Sequence, residues 1–302
     1  MTIPDGVRRG VAAALEEGFG AAAGRFQASR VGGGCISPAA RVETAAGDVA
    51  FLKWGARGRP TGMFAAEAEG LRALAATGEV RVPEVLAVFD EAGEDAWILL
   101  EWLEPGRAIE PSFERLGRDL AAMHRSRSTT FGWKTDGFIG TLPQANGEMD
   151  SWPVFWAERR LRPQLRLARD AGRLDRSSAR RFDTLLDTLE TRLAAAEVDG
   201  ASLLHGDLWS GNVHVMADGT PALIDPACSY GHREVDLAMA ELFGGFGPAF
   251  FRSYEEAWPL QEGYDRVRRP IYQLYYLLVH VNLFGGGYVA RTLATLDEAL
   301  GA

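Results

Sequence analysis

The chain's densest run of reactive side chains is His-Gly-Asp-Leu-Trp-Ser-Gly-Asn at 205–212. Asp207 is a carboxylate that can take the proton of an attacking hydroxyl. Asn212, five residues on, can return on the same loop and offer its amide oxygen to a divalent cation. A second carboxylate, Asp225, ends the strand-like run Ala-Leu-Ile that follows Asn-Val-His-Val-Met. These oxygen donors suit Mg²⁺, which needs only one or two carboxylates when phosphate oxygens complete its shell. His205 reads as a structural residue that packs and orients the loop.

Such groups need a scaffold. Residues 25–31, 41–45, 49–53, 85–89 and 97–102 carry strand patterns, and 62–77 places Phe64, Leu71, Leu74 and Ala75 at helical spacing. Gly32, Gly33, Gly34 and Cys35 separate the first two strands. Glycines there let backbone approach phosphates, although an ordinary hairpin turn uses glycine too. Lys53 ends the third strand. Of the 32 basic residues only Lys53 and Lys134 are lysine, so a compact ammonium at this place has a chemical reason. Glu67 and Glu69 on the helix are both available to hold it; Glu67 is the favoured partner, and Glu69 then faces solvent. Glu101, Trp102 and Leu103 open Glu-Trp-Leu-Glu-Pro-Gly, a hinge-like stretch whose backbone would meet an adenine. Beyond it the texture is helical: a helix over 111–126, a long Arg-rich helical region over 154–198, and an aromatic helical C-terminus. The expected fold is α+β and bilobal. Residues 1–102 form a small five-stranded antiparallel N-lobe with one helix, and 103–302 form a larger, mainly helical C-lobe.

Composition bounds the partners. Net charge is −9 and 47% of the 302 residues are hydrophobic, as in ordinary globular domains. An acidic chain is a poor ligand for nucleic acid or anionic membranes. The N-terminus lacks a signal-peptide core and reads as an amphipathic helix. The apolar stretch at 271–281 is broken by Gln273 and His280 and is too short to span a bilayer. Two cysteines, Cys35 and Cys228, imply no disulfide framework, and no zinc-type spacing is present. A cytoplasmic monomer is the expectation.

Residues 205–212 match the kinase catalytic-loop pattern H-x-D-L-x-x-x-N position by position. Gly206 stands where protein kinases carry Arg, Ile-Asp-Pro at 224–226 replaces D-F-G, and no A-P-E follows. A phosphorylation-docked activation loop is therefore not expected, which favours a small-molecule kinase. The chain further resembles the fructosamine-3-kinase and ketosamine-3-kinase family, relatives of aminoglycoside phosphotransferases and choline kinases. The resemblance rests on Gly-Gly-Gly-Cys-Ile-Ser (32–37), Val-Arg-Val-Pro-Glu-Val (80–85), Phe-Ile-Gly-Thr-Leu-Pro-Gln-Ala-Asn (138–146), Asp-Pro-Ala…Tyr-Gly-His (225–232), Leu-Phe-Gly-Gly-Phe (242–246) and Tyr-Gln-Leu…Asn-Leu-Phe-Gly (272–285).

It implies transfer of the ATP γ-phosphate to the C3 hydroxyl of a free or protein-bound ketosamine, whose 3-phosphate then releases the amine. It implies Asp207 as base, Asn212 and Asp225 on Mg²⁺, and Lys53 with Glu67 on the phosphates. Asp236 would brace the catalytic loop. Trp209, with His280 and Asn282, would face the substrate, the indole suiting a sugar face or a cationic amine. Cys35 is either an inert loop residue or a redox-sensitive one able to link two chains. Cys228 reads as a packed hydrophobe. The competing readings are an aminoglycoside or choline-like phosphotransferase, disfavoured by Trp209 and the C-terminal segments, and a nucleotide-binding pseudokinase, disfavoured by the intact Lys53, Asp207, Asn212 and Asp225.

Overall fold

The computed structural model describes residues 3–32, 37–55 and 59–301. They fall into two compact units. One comprises 1–108 with 213–225, the other 109–212 with 226–302.

The first unit opens with helix α1 (Asp5–Phe19), then strands β1 (Phe26–Arg30), β2 (Ala39–Thr44) and β3 (Val49–Trp54), helix α2 (Met63–Ala76), and strands β4 (Val85–Phe89) and β5 (Trp97–Glu101). The sheet order is β1-β2-β3-β5-β4, antiparallel throughout. α1 is the amphipathic helix expected at the N-terminus, and it gives this unit a second helix beside α2. Its Val7, Val11 and Leu15 recur every fourth residue and join Val42, Leu52 and Leu99 of the sheet in one buried cluster. α2 turns Phe64, Leu71 and Leu74 inward.

The two places where this unit departs from a single cut at 102/103 have one cause. The antiparallel hairpin Val213–Val215/Pro221–Leu223 bonds backward to this unit's backbone. Gly106 N–H donates to Val215 O, Ala217 N–H to Glu104 O, and Leu223 N–H to Arg81 O, each at 2.8 Å. A Cβ at Gly106 would sit 2.0 Å from Met216 O, so only glycine lets the segment after β5 approach the hairpin this closely.

In the second unit, α3 (Glu110–Met123) precedes a helical body built on an aromatic core that includes Trp152, Trp156, Tyr272 and Tyr275. The Arg-rich helical region expected at 154–198 consists of several segments. A short helix, Trp152–Phe155, passes into a π-turn at Trp156–Leu161, then helices Arg162–Asp170, Arg176–Leu186 and Leu189–Asp199. Pro163 lacks an N–H and crowds the carbonyl four residues back, and the wider π-turn lies just before it. Gly172, at φ +66°, ends the 162–170 helix. Asp175 starts the next by accepting from Ser178 N–H at 2.7 Å.

Two buried ion pairs brace this unit. Asp199 accepts from Arg233 Nε at 2.8 Å, and Glu234 receives Arg268 Nε at 2.6 Å. These pairs anchor the start of helix Glu234–Phe243. Among the described residues, no helix is long and apolar enough to cross a membrane.

Candidate active site

Lys53 is the penultimate residue of β3, and its ammonium is nearly buried. It donates to Glu67 Oε1 at 2.8 Å and also bonds Asp225 Oδ1. Of the two helix glutamates, Glu67 is thus the one that meets Lys53. α2 is held in place at its start, where Asp90 Oδ2 accepts from Phe64 N–H at 2.7 Å and Ala65 N–H at 3.2 Å. Burial disfavours the charged ammonium, but the charges of Asp225 and Glu67 outweigh it and hold the Lys53 pKa above its ordinary value. Burial also raises the Glu67 pKa, against the pull of Lys53 and with a push from Asp225. Two carboxylates thus share one ammonium, leaving a local excess of negative charge.

Asp225 is the one non-glycine among the described residues with positive φ, at 55°. An L-residue there carries strain of about 1–2 kcal/mol. The conformation is retained where its carboxylate reaches Lys53.

Other residues of the first unit stand as follows. The Glu101 carboxylate turns back to Arg81 and to Glu84 N–H, the latter at 3.1 Å. Burial pushes its pKa up, but these partners outweigh it and the net shift is downward. Trp102 Nε1 donates to Glu104 at 2.8 Å, and Leu103 is buried. A side chain at Gly32 would meet nothing within 4 Å. Gly33, Gly34 and Cys35, and with them the redox and cross-linking expectation, lie outside the described residues. Cys228 is buried.

In the second unit, the buried strand Ala201–Leu204 delivers the chain into the loop 205–212. Both oxygens of Asp236 hold the loop's backbone. Oδ2 accepts from His205 N–H at 2.7 Å and Oδ1 from Gly206 N–H at 2.8 Å. Tyr276 Oη donates to Gly206 O at 2.8 Å, and Ala227 N–H donates to His205 O at 2.8 Å. His205 is fully buried, and its Nδ1 accepts from Asp207 N–H at 3.2 Å, so its ring carries its proton on Nε2 when neutral. Asn212 closes the loop: its Nδ2 donates to Asp207 O at 2.8 Å and to Asp207 Oδ2 at 3.2 Å. The half-buried Trp209 packs on the aromatic core and lies over Gly211, where a Cβ would meet ring atoms at 2.2 Å.

His124, at the end of α3, belongs to none of the sequence motifs. It is fully buried. Its Nε2 lies 3.1 Å from Asp236 Oδ2 and its Nδ1 2.9 Å from Tyr254 Oη. Burial lowers its pKa despite Asp236. No sequence signal separates this histidine from any other at a helix end, because its partners come from remote helices.

His280 and Asn282 go to different neighbours, since residues two apart on a helix do not share a face. His280 Nδ1 lies 2.8 Å from Tyr276 O, among the rings of Phe243, Phe284 and Tyr288. Asn282 Nδ2 donates to Gln164 O and Oε1 at 2.9 and 2.8 Å.

Gly206 carries a direct prediction. Its φ is +82°, and a Cβ would lie 2.0 Å from Ala227 O. Gly206→Ala is expected to lower the unfolding free energy by roughly 2–5 kcal/mol, from the left-handed backbone and the overpacking together. Denaturant melts check this, and an unchanged midpoint would mean that the loop yields freely.

The comparisons with known proteins converge. The fructosamine kinase family model matches residues 8–302. A probable ketoamine kinase from Synechocystis sp. is 44% identical over 244 residues, 79% of each chain. A chloroplastic protein-ribulosamine 3-kinase from Arabidopsis thaliana is 38% identical over 272 residues, 89% of this chain and 81% of that one. The crystal structure of a candidate fructosamine-3-kinase from Thermobifida fusca superposes with a TM-score of 0.84 at 37% identity, covering 97% of this chain and 99% of the other. The chain belongs to the fructosamine kinase family.

Proposed function

We propose that this chain transfers the γ-phosphate of ATP to the C3 hydroxyl of a ketosamine, a ketose joined to an amine, and so leads to release of the amine. The observation that carries this reading is the loop 205–212. It presents Asp207 beside Asn212 on a backbone held from below by Asp236 and Tyr276. Family membership and the names of the relatives, ketoamine kinase and protein-ribulosamine 3-kinase, support the acceptor class.

In this reading Asp207 takes the proton of the acceptor hydroxyl, and Lys53, held by Glu67, meets the phosphates. The backbone of 101–103 receives the adenine. Trp209 faces the sugar. The protein's work is positioning and charge neutralisation rather than covalent chemistry.

The residues fit Mg²⁺. Asn212 commits its nitrogen to Asp207, which leaves its amide oxygen as the donor, and Asp225 adds a carboxylate in a region of excess negative charge. No three His, Cys, Asp or Glu side chains among the described residues converge as a metal cage of their own. A cation held by one carboxylate and one amide completes its shell with phosphate and water, which is Mg²⁺ behaviour. Asn212 and Asp225 would hold the ion, which when bound neutralises phosphate charge.

The test is Mg²⁺-dependent ATP consumption with ribuloselysine, fructoselysine, kanamycin, choline and no acceptor. Turnover confined to the ketosamines is expected. Turnover with kanamycin or choline alone would overturn the acceptor class, and ATP binding without turnover on any acceptor would favour a non-catalytic nucleotide binder.

A further inference from the structure

Helix Glu234–Phe243 meets the loop 205–212 at both of its ends. Near its start, Asp236 accepts from His205 N–H and Gly206 N–H. Past its end the chain turns at Gly244 and Gly245, both left-handed at φ +70° and +91°. Gly245 lies directly against Ser210: a Cβ there would sit 2.4 Å from both Cβ and Oγ of Ser210. The helical steps from Asp236 to Phe243 rise about 10 Å. The chain from Gly206 to Ser210 can span that distance, so one helix braces both halves of the loop.

The two halves are held differently. Residues 205–207 have remote hydrogen-bond partners in Asp236, Tyr276 and Ala227. The hydrogen bonds that shape 209–212 run within the loop. Trp209 N–H donates to Asp207 O at 3.1 Å, Asn212 N–H to Trp209 O at 2.9 Å, and Asn212 Nδ2 to Asp207. Gly245 gives this second half a remote steric stop.

A side chain at 245 would have to displace one partner. The 245 side is pinned by its neighbour: Phe246 is buried, its ring centroid 4.7 Å from that of Phe250 and 6.1 Å from that of Phe113. Close-packed rings resist a shift. Ser210 is half-buried and opens the single 3₁₀ turn Ser210–Asn212. The loop is the softer side, so Ser210 is what moves.

We propose that Gly245 is a positioning residue of the catalytic loop: its bare Cα against Ser210 sets the turn 210–212 and so the place of Asn212 beside Asp207. The consequence for turnover rests on the kinase reading above; the effect of the contact on the loop does not.

The test is a double-variant cycle in the full chain. Gly245→Ala is expected to lower kcat with ribuloselysine or fructoselysine by about 10- to 100-fold, the scale of an ångström-sized misplacement. In a Ser210→Gly background, which removes the atoms the new methyl meets, the same change should cost about twofold or less, as for uncoupled sites. Gly244→Ala is the control. It carries left-handed strain too, but a Cβ there meets nothing within 4 Å, so the melting temperature should fall while kcat stays within about twofold of wild type.

Amide hydrogen exchange reads the loop without activity. In Gly245→Ala, Asn212 N–H should exchange faster while Gly206 N–H does not, and Ser210→Gly should remove the difference. A Gly245→Ala chain that folds only together with Ser210→Gly would also support the inference. No loss from Gly245→Ala, equal losses in both backgrounds, or an equal loss from Gly244→Ala would overturn it. So would failure of both position-245 variants to fold. If the wild-type enzyme turns over no ketosamine, the acceptor reading falls, and the exchange rates alone decide the inference.

Discussion

Asp207→Asn leaves a folded protein whose turnover drops by about 10²-fold or more, the scale of a positioned general base. The loop's shape does not depend on the lost charge. Its backbone is held by Asp236, Tyr276 and Ala227, and Asn212 still has the residue-207 carbonyl to bond. An amide at 207 fills nearly the same volume but cannot take a proton at neutral pH. The melting temperature should therefore stay close to wild type while kcat falls and KM for ATP changes little. Steady-state kinetics beside a thermal melt check this. Near-wild-type turnover would remove Asp207 from the base role, and a collapsed melting temperature would make its role structural.

Asp236→Asn is expected to damage stability and turnover together. The carboxylate is fully buried and accepts from His205 N–H and Gly206 N–H, with His124 Nε2 at 3.1 Å. An asparagine has one acceptor oxygen and brings an NH₂ group. At least one of the two backbone N–H groups would then face a donor in a site without solvent. A buried group left unsatisfied costs about 1–3 kcal/mol, more where a charge was involved. The expected loss is roughly 3 kcal/mol or more, with kcat falling because Gly206 and Asp207 shift. Nothing at Asp236 is proposed to touch ATP or acceptor, so KM should move less than kcat. A denaturant midpoint within experimental scatter of wild type would show that the two amides find other acceptors and that Asp236 does not position the loop.

Much of the first unit was legible because strands and amphipathic helices declare themselves by period. The five strands and α2 fall within about two residues of their sequence positions, and the pairing of Lys53 with Glu67 needed only a choice between two glutamates on one helix. The 154–198 region is helical, as its Arg and Leu pattern implies, but that pattern does not show where one helix ends and the next begins. Pro163 and Gly172 break it locally. Asn282 illustrates a different limit. Its type suits a binding site, but its amide goes to Gln164, and only packing determines which neighbour a polar side chain finds.

The sequence by itself determined the chemistry and its local frame. Asp207 and Asn212 lie on one contiguous loop whose five-residue spacing brings the amide back to the acid, and a short-range motif can be read without knowing where the rest of the chain goes. The tertiary structure alone decided what holds that loop and which unit each carboxylate joins. Asp236, His124, Tyr254 and Tyr276 reach the loop or one another across 30 to 130 residues of sequence. The hairpin carrying the chain to Asp225 packs with the first unit because its backbone bonds to Arg81, Glu104 and Gly106. Such contacts leave no periodic trace: each is one polar atom finding its partner in a buried place, where a missing partner would be expensive.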